Sequence, residues 1–78
     1  MNIFFIGMGN MGQHRLKSVE KLYKKFNLNV VGFYDPNVSS IFFREKEIHS
    51  LNNINELNYD FVKLNKIDLF IIGIPHSL

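Results

Sequence analysis

Hydrophobic residues fall into short runs and periodic stretches that alternate along the chain. Two apolar runs, Asn2–Ile6 and Asn29–Tyr34, are typical of buried strands. Residues 11–26 carry apolar side chains at helical spacing with lysines on the outer side, which predicts an amphipathic helix. Residues 67–74 form the most hydrophobic segment and predict a further strand, which Pro75 ends.

The middle of the chain gives weaker signals. Residues 39–46 predict a short helix that begins at a serine cap, and residues 48–51 predict a weak third strand. Asn53 is followed three residues later by Glu56, a pairing that is typical of a helix start. A second long helix is therefore predicted over residues 54–64.

These elements alternate as strand and helix, and the strands are continuous apolar runs. Such runs indicate a parallel sheet that is covered on both faces. Right-handed connections then give the strand order 3-2-1-4, with helices on both faces. The predicted fold class is α/β, a partial Rossmann fold with a four-stranded parallel sheet, formed as one domain over residues 1–78.

Length and composition limit the chain to one small domain. It has 78 residues, 46% of them hydrophobic, and no cysteine, which excludes disulfides and thiolate metal sites. Met1 is not followed by a basic segment, and the first apolar run is too short for a signal peptide or a membrane span. We therefore expect a cytoplasmic protein without a membrane partner.

The formal charge of +2 is concentrated in one helix. Four of its lysines lie within residues 17–25, on the side that the apolar periodicity leaves in water. No known nucleic-acid-binding motif accompanies these lysines, so a solvated face is favoured over a nucleic-acid interface. Nucleic acid is therefore not an expected partner.

A glycine-rich segment lies between the first strand and the first helix. Its six residues match G-x-G-x-x-G, a pattern that is informative only in this strand-to-helix context. The first glycine permits a tight turn, the second lets a pyrophosphate approach the backbone, and the third lets the helix pack against the sheet. The helix N-terminus offers N–H groups to the phosphates. The predicted cofactor-binding residues here are Gly7, Met8, Gly9, Asn10, Met11 and Gly12.

Asp35 and Pro36 follow the second predicted strand. A carboxylate at this position accepts hydrogen bonds from the ribose hydroxyls of an adenosine and repels a 2′-phosphate. No cationic residue directly follows Asp35, so NAD is favoured over NADP as the cofactor. The alternative is that Asp35 only caps the Asp-Pro-Asn turn.

Ile74, Pro75 and His76 lie at the carboxyl end of the last predicted strand, beside the point where a dinucleotide crosses the sheet, and Gly73 and Pro75 would keep the chain close to the cofactor. His76 has a near-neutral titration range, but no carboxylate is placed to orient it, so a cofactor-contacting or loop role is favoured. His14 is expected on the helix surface. We identify no catalytic residue and no cluster with metal-ligand spacing.

Three ordered segments resemble the amino-terminal domain of Gfo/Idh/MocA-type oxidoreductases. They are residues 3–12 (IFFIGMGNMG), residues 30–37 (VVGFYDPN) and residues 67–76 (IDLFIIGIPH). The resemblance implies pyrophosphate binding by the glycine segment, ribose binding by Asp35, and contacts from Ile74, Pro75 and His76 on the nicotinamide side. Family members oxidise or reduce a hydroxyl of a sugar, cyclitol or related small molecule with NAD or NADP.

The chain departs from that family in ways that leave its activity open. The family's catalytic lysine motif and its substrate domain are not in the sequence, and His14 precedes Arg15 where many members have the reverse order. One expectation is a truncated cofactor-binding segment of an NAD(P)-dependent oxidoreductase, which needs the missing part to act on a sugar-like molecule. The alternative is a non-catalytic nucleotide-binding module or remnant. The apolar edge of strand 67–74 further predicts self-association.

Overall fold

The computed structural model describes residues 1–73. In it the first two predicted strands are present and pair in parallel. The predicted site residues Ile74, Pro75 and His76 lie outside the described residues. In chain order the elements are β1 (Asn2–Ile6), α1 (Asn10–Phe26), β2 (Asn29–Tyr34), β3 (Ser40–Phe43), β4 (Lys46–His49), a 3₁₀ turn (Ile54–Glu56), α2 (Tyr59–Leu64) and β5 (Leu69–Ile72).

The parallel sheet has three strands in the order β2-β1-β5. Strand β1 is central and pairs in parallel with both neighbours. After β2 the chain therefore crosses to the other side of β1 before it forms β5. The prediction of these three strands and of their relative order is confirmed, but within residues 1–73 the sheet has no fourth strand, which the order 3-2-1-4 requires.

Alternate residues of β1 build the two layers of the core. Ile3 and Phe5 are fully buried in a cluster with Leu16 and Val19 of α1. Phe4 points to the opposite face, because successive side chains of a strand alternate, and its ring packs edge-on against Phe61 of α2. The two helices therefore cover opposite faces of the sheet, as predicted.

The predicted helix over residues 39–46 is wrong. This segment forms β3 and the start of β4, which pair antiparallel as a hairpin. Ile41 and Phe43 are buried while Phe42 is 62% exposed, which is the two-residue period of a strand. Arg44 and Glu45 make the turn with φ values of 55° and 67°, the left-handed pair that a two-residue hairpin requires.

The predicted third parallel strand over residues 48–51 is wrong for the same reason. Its first residues belong to β4, whose partner is β3 and not the parallel sheet.

The turn of this hairpin contacts α1. The guanidinium of Arg44 lies 4.2 Å from the ring centroid of Tyr23, and the Arg44 N–H donates to the Glu20 carboxylate at 3.2 Å.

The predicted helix over residues 54–64 is interrupted. Its start is confirmed, because the Asn53 side chain accepts from the Asn55 N–H and the Glu56 carboxylate accepts from the Asn53 N–H, both at 2.8 Å. The first turn ends at Glu56, and Asn58 then starts α2 by accepting from the Phe61 N–H at 3.0 Å. A second cap in the middle of the segment divides one predicted helix into two short pieces.

Strand β5 is the edge of the parallel sheet in the described part of the chain. One side of its backbone pairs with β1 and the other has no strand beside it. Leu69, Phe70 and Ile72 are 41%, 38% and 60% exposed. Among residues 1–73, no helix has the length and hydrophobicity needed to cross a bilayer.

Candidate dinucleotide site

The carboxyl ends of β1, β2 and β5 open into a cavity of about 430 Å³. Because β1 is central, this cavity lies where the chain reverses direction across the sheet, the place where open α/β sheets bind ligands. Its walls come from the loop after β1, the turn after β2 and the end of β5. The lining residues are Ile6, Gly7, Gly9, Asn10, Met11, Tyr34, Asp35, Pro36, Asn37, Val38 and Gly73.

Two glycines of the loop after β1 are required by the fold itself. Gly7 has a φ of 90°, which side chains disfavour, and its N–H donates to the Tyr34 carbonyl oxygen at 2.8 Å. A Cβ on Gly12 would collide with the carbonyl oxygen of Gly7. The turn and the close approach of α1 to β1 therefore both depend on the absence of a side chain.

Gly9 differs from the other two loop glycines. It is the N-cap residue of α1, with φ −73° and ψ −158°, a backbone conformation open to any L-residue. A Cβ built on it has no atom within 4 Å. Neither backbone strain nor packing within residues 1–73 requires glycine here, and Gly9 is one of the residues that line the cavity.

Asp35 joins the turn after β2 to the loop after β1. Its Oδ2 accepts a hydrogen bond from the Met8 N–H at 2.6 Å. Its Oδ1 accepts from the N–H groups of Asn37 and Val38 at 2.7 and 3.2 Å. The turn-capping alternative for this residue is therefore present in the structure, together with a position on the cavity wall.

The Asp35 carboxylate keeps capacity for a ligand. A carboxylate has about four acceptor positions, and three are used by these N–H groups. The remaining position is on Oδ2, so one ribose hydroxyl can bind without displacing a contact within the protein. The backbone of Asp35 is fixed from the hairpin side, because the Ser50 hydroxyl accepts from the Asp35 N–H at 3.0 Å.

The first turn of α1 supplies the positive end of the site. No side chain among residues 1–73 caps the helix, and its first turn has no acidic residue. The initial N–H groups of an α-helix have no partner within the helix and attract anions. Asn10 and Met11, which carry two of these groups, line the cavity.

Charge around the cavity is negative where the adenosine end is expected. Asp35 is the one charged residue among the lining residues of the described chain, and no lysine or arginine faces the cavity there. Arg44, which the sequence placed in a following helix, instead lies in the hairpin turn, beside Asn29 and Val30 at the start of β2. It is therefore at the opposite end of that strand from Asp35.

The structure brings together six of the residues that the sequence predicted for the site. It shows a different role for a seventh, Met8. Gly7, Gly9, Asn10, Met11, Asp35 and Pro36 line the cavity, and Gly12 is buried under the loop. The Met8 side chain is fully buried in the core, so that residue offers only its backbone, which Asp35 already engages.

Other lining residues were missed by sequence reasoning. Tyr34 ends β2, and Asn37 and Val38 follow Asp35 in the turn, whereas Gly73, just after β5, is a residue that the sequence already placed close to the cofactor. The available signal was their position at the carboxyl ends of parallel strands, which meet at one sheet edge. His14 lies exposed on α1 as expected, and residues 1–73 contain no group of three metal-ligating side chains.

Comparison with known proteins supports a Rossmann-like fold. No protein-family model and no curated protein sequence matches the chain. Among solved structures the chain is similar to RSP, a Rex-family repressor, with a TM-score of 0.67 and 28% sequence identity. The similarity covers 97% of this chain and 34% of the repressor chain. The present sequence thus spans about a third of that protein, and the similarity supports a Rossmann-like fold for this chain.

Proposed function

We propose that this chain binds a dinucleotide, NAD, across the carboxyl ends of β1, β2 and β5. The observation that carries the proposal is Gly9, whose missing side chain serves neither the backbone nor the packing but leaves open the cavity at the start of α1. A pyrophosphate is a group that needs this space and the helix N–H groups beside it. Asp35 would bind the adenosine ribose from the opposite wall.

The choice of NAD over NADP rests on charge. The 2′-phosphate of NADP would approach Asp35, the one charged residue of the described lining, with no cation beside it. At 4 Å two like charges repel by about 1 kcal/mol even in water and by more at a protein surface. We therefore expect NAD to bind more tightly than NADP.

The similarity to a repressor favours binding without catalysis, which is the non-catalytic alternative raised by the sequence. The second candidate is the cofactor-binding segment of an oxidoreductase of the Gfo/Idh/MocA type. Its support is the resemblance of the three segments around Gly7, Asp35 and residue 73. Under this candidate, binding of a sugar or cyclitol substrate would require a substrate domain in addition to the residues of this sequence. Both candidates require the same dinucleotide site.

Isothermal titration calorimetry of the purified chain tests the proposal. We expect saturable binding of NAD and of ADP-ribose, with NADP weaker by about tenfold, which corresponds to about 1.4 kcal/mol. Equal affinity for NAD and NADP would contradict the assignment of Asp35, and no heat with any of the three would contradict the proposed function. Formation of reduced nicotinamide from added polyols, followed by absorbance, would favour the oxidoreductase candidate.

Self-association through β5 is a separate proposal about partners. The occupant we propose is a second copy, paired antiparallel along the open edge about a two-fold axis. Leu69–Ile72 contains no charged residue, so its own copy can lie opposite without like charges facing each other. Sedimentation velocity is expected to show a concentration-dependent shift from monomer to dimer.

Two variants for that experiment each add one lysine, either at the β5 edge or away from it. Ile72→Lys adds a lysine to the edge at a side chain that is 60% exposed, and we expect it to remain monomeric. Leu64→Lys changes an 83% exposed leucine on α2, away from the edge, and should associate like the parent chain. A parent chain that stays monomeric at high micromolar concentration would refute the proposal.

A further inference from the structure

Four of the five glycines in the chain meet at one corner of the fold. Three belong to the loop after β1 and to the first turn of α1. The fourth, Gly73, follows β5 and comes from the far end of the described chain. The fifth, Gly32, lies in β2, does not line the cavity and faces the ring of Phe4.

Gly73 contacts the loop backbone to backbone. A Cβ on Gly73 would lie 2.8 Å from both the Cα and the amide nitrogen of Gly12, and 3.1 Å from the carbonyl oxygen of Gly7. The Gly73 N–H is already held, since it donates to the Ile6 carbonyl oxygen at 2.8 Å. Backbone atoms cannot rotate away as a flexible side chain can, so a side chain at this position must displace β5 or α1.

Gly73 also faces the cavity. It lines the wall that β5 contributes, on the other side of β1 from Asp35. The atoms that would meet its Cβ belong to Gly12, in the helix turn whose preceding residues Asn10 and Met11 line the same cavity. The end of β5 therefore sets how far the helix N-terminus stands from the mouth of the site.

We propose that Gly73 is a positioning residue of the dinucleotide site, which holds the first turn of α1 in place for the phosphates by having no side chain. The inference rests on the proposed function, since it assumes that a dinucleotide occupies the cavity. It adds a second chain segment to a phosphate site that the sequence motif confines to Gly7–Gly12. A side chain at residue 73 would push the first turn of α1 away and so shift the N–H groups of Asn10 and Met11, although none of these groups would be removed.

The test compares Gly73→Ala with Gly32→Ala. A Cβ on Gly32 would lie 3.0 Å from a ring carbon of Phe4, which is buried against Phe61 and Phe70, so this variant is a sterically tight control at a residue that does not line the cavity. We expect NAD affinity to fall at least about tenfold in Gly73→Ala and to stay within about twofold of the parent in Gly32→Ala. Parent-like affinity in a folded Gly73→Ala variant would overturn the inference.

A second measurement uses the unaltered chain and does not depend on how well a variant folds. In ¹H–¹⁵N spectra titrated with ADP-ribose, the amide signal of Gly73 should shift together with those of Gly7, Gly9 and Gly12, while that of Gly32 stays fixed. If the loop signals move and Gly73 remains with Gly32, the inference is wrong.

Failure of the proposed function would look different. No glycine signal would then move at saturating ADP-ribose. Positioning by Gly73 would still be judged on spectra without ligand, where Gly73→Ala should displace the signals of Gly7 and Gly12 and Gly32→Ala should not. Unchanged Gly7 and Gly12 signals in Gly73→Ala would overturn the inference independently of any ligand.

Discussion

Replacing Gly9 with alanine is expected to lower NAD affinity at least about 30-fold, or about 2 kcal/mol, and to leave the fold intact. The added methyl group has no protein atom within 4 Å, so it enters the cavity where the pyrophosphate is expected. The backbone of Gly9, at φ −73°, accepts alanine without strain. Calorimetry with NAD, beside urea denaturation of the same sample, measures both effects.

Two opposing contributions to the free energy of unfolding make Gly9→Ala nearly neutral. Alanine is a poorer N-cap than glycine by roughly 0.5 kcal/mol. Against this, alanine restricts the unfolded chain, which stabilises the fold by about 0.4–1 kcal/mol. Gly12→Ala is the contrasting variant, because its Cβ collides with Gly7 and should lower stability as well as binding. If Gly9→Ala binds NAD like the parent chain, the phosphate assignment is wrong.

Asp35→Asn is expected to reduce NAD affinity about tenfold or more and to remove the preference over NADP. The asparagine oxygen can still accept from Asn37 and Val38, but its NH₂ group would face the Met8 N–H in place of Oδ2. Two donors would then oppose each other at a half-buried residue, at a cost of about 1 kcal/mol in stability. The neutral amide would also no longer repel a 2′-phosphate.

Asp68→Asn is the matched control for that variant. The Asp68 carboxylate accepts from the Asn2 N–H at 2.7 Å, a comparable contact at the start of β5 and at the opposite end of the sheet from the cavity. We expect it to lower stability in urea denaturation while leaving NAD and NADP affinities unchanged. Parent-like binding and cofactor preference in Asp35→Asn would contradict the ribose assignment.

The parts of the fold that the sequence predicted correctly are those with a long or uninterrupted pattern. The strands Asn2–Ile6 and Asn29–Tyr34 are continuous apolar runs, and α1 keeps one apolar face over 17 residues. The hairpin was missed because its alternation spans only Ile41 to Phe43. Its turn is Arg44-Glu45, without the Asn-Gly or Asp-Gly pair that usually marks left-handed turn residues.

The candidate site was predictable only where the motif itself carried the information. The glycine segment and Asp35 each directly follow a predicted parallel strand, which was enough to place them at the same edge of the sheet. The sequence could not decide between ribose binding and turn capping for Asp35. The structure shows the capping contacts and an Oδ2 position that remains free. The sequence placed Gly73 close to the cofactor but could not predict its contact with Gly12, because that contact arises only once β5 lies beside β1.

A crystal structure of the chain with ADP-ribose tests the central claim most directly. We predict that the pyrophosphate lies over Gly9, within hydrogen-bond distance of the N–H groups of Asn10 and Met11. One ribose hydroxyl should donate to the Asp35 carboxylate without displacing the Met8 N–H. A ligand bound elsewhere on the chain, or a cavity that stays empty at saturating ADP-ribose, would contradict the account.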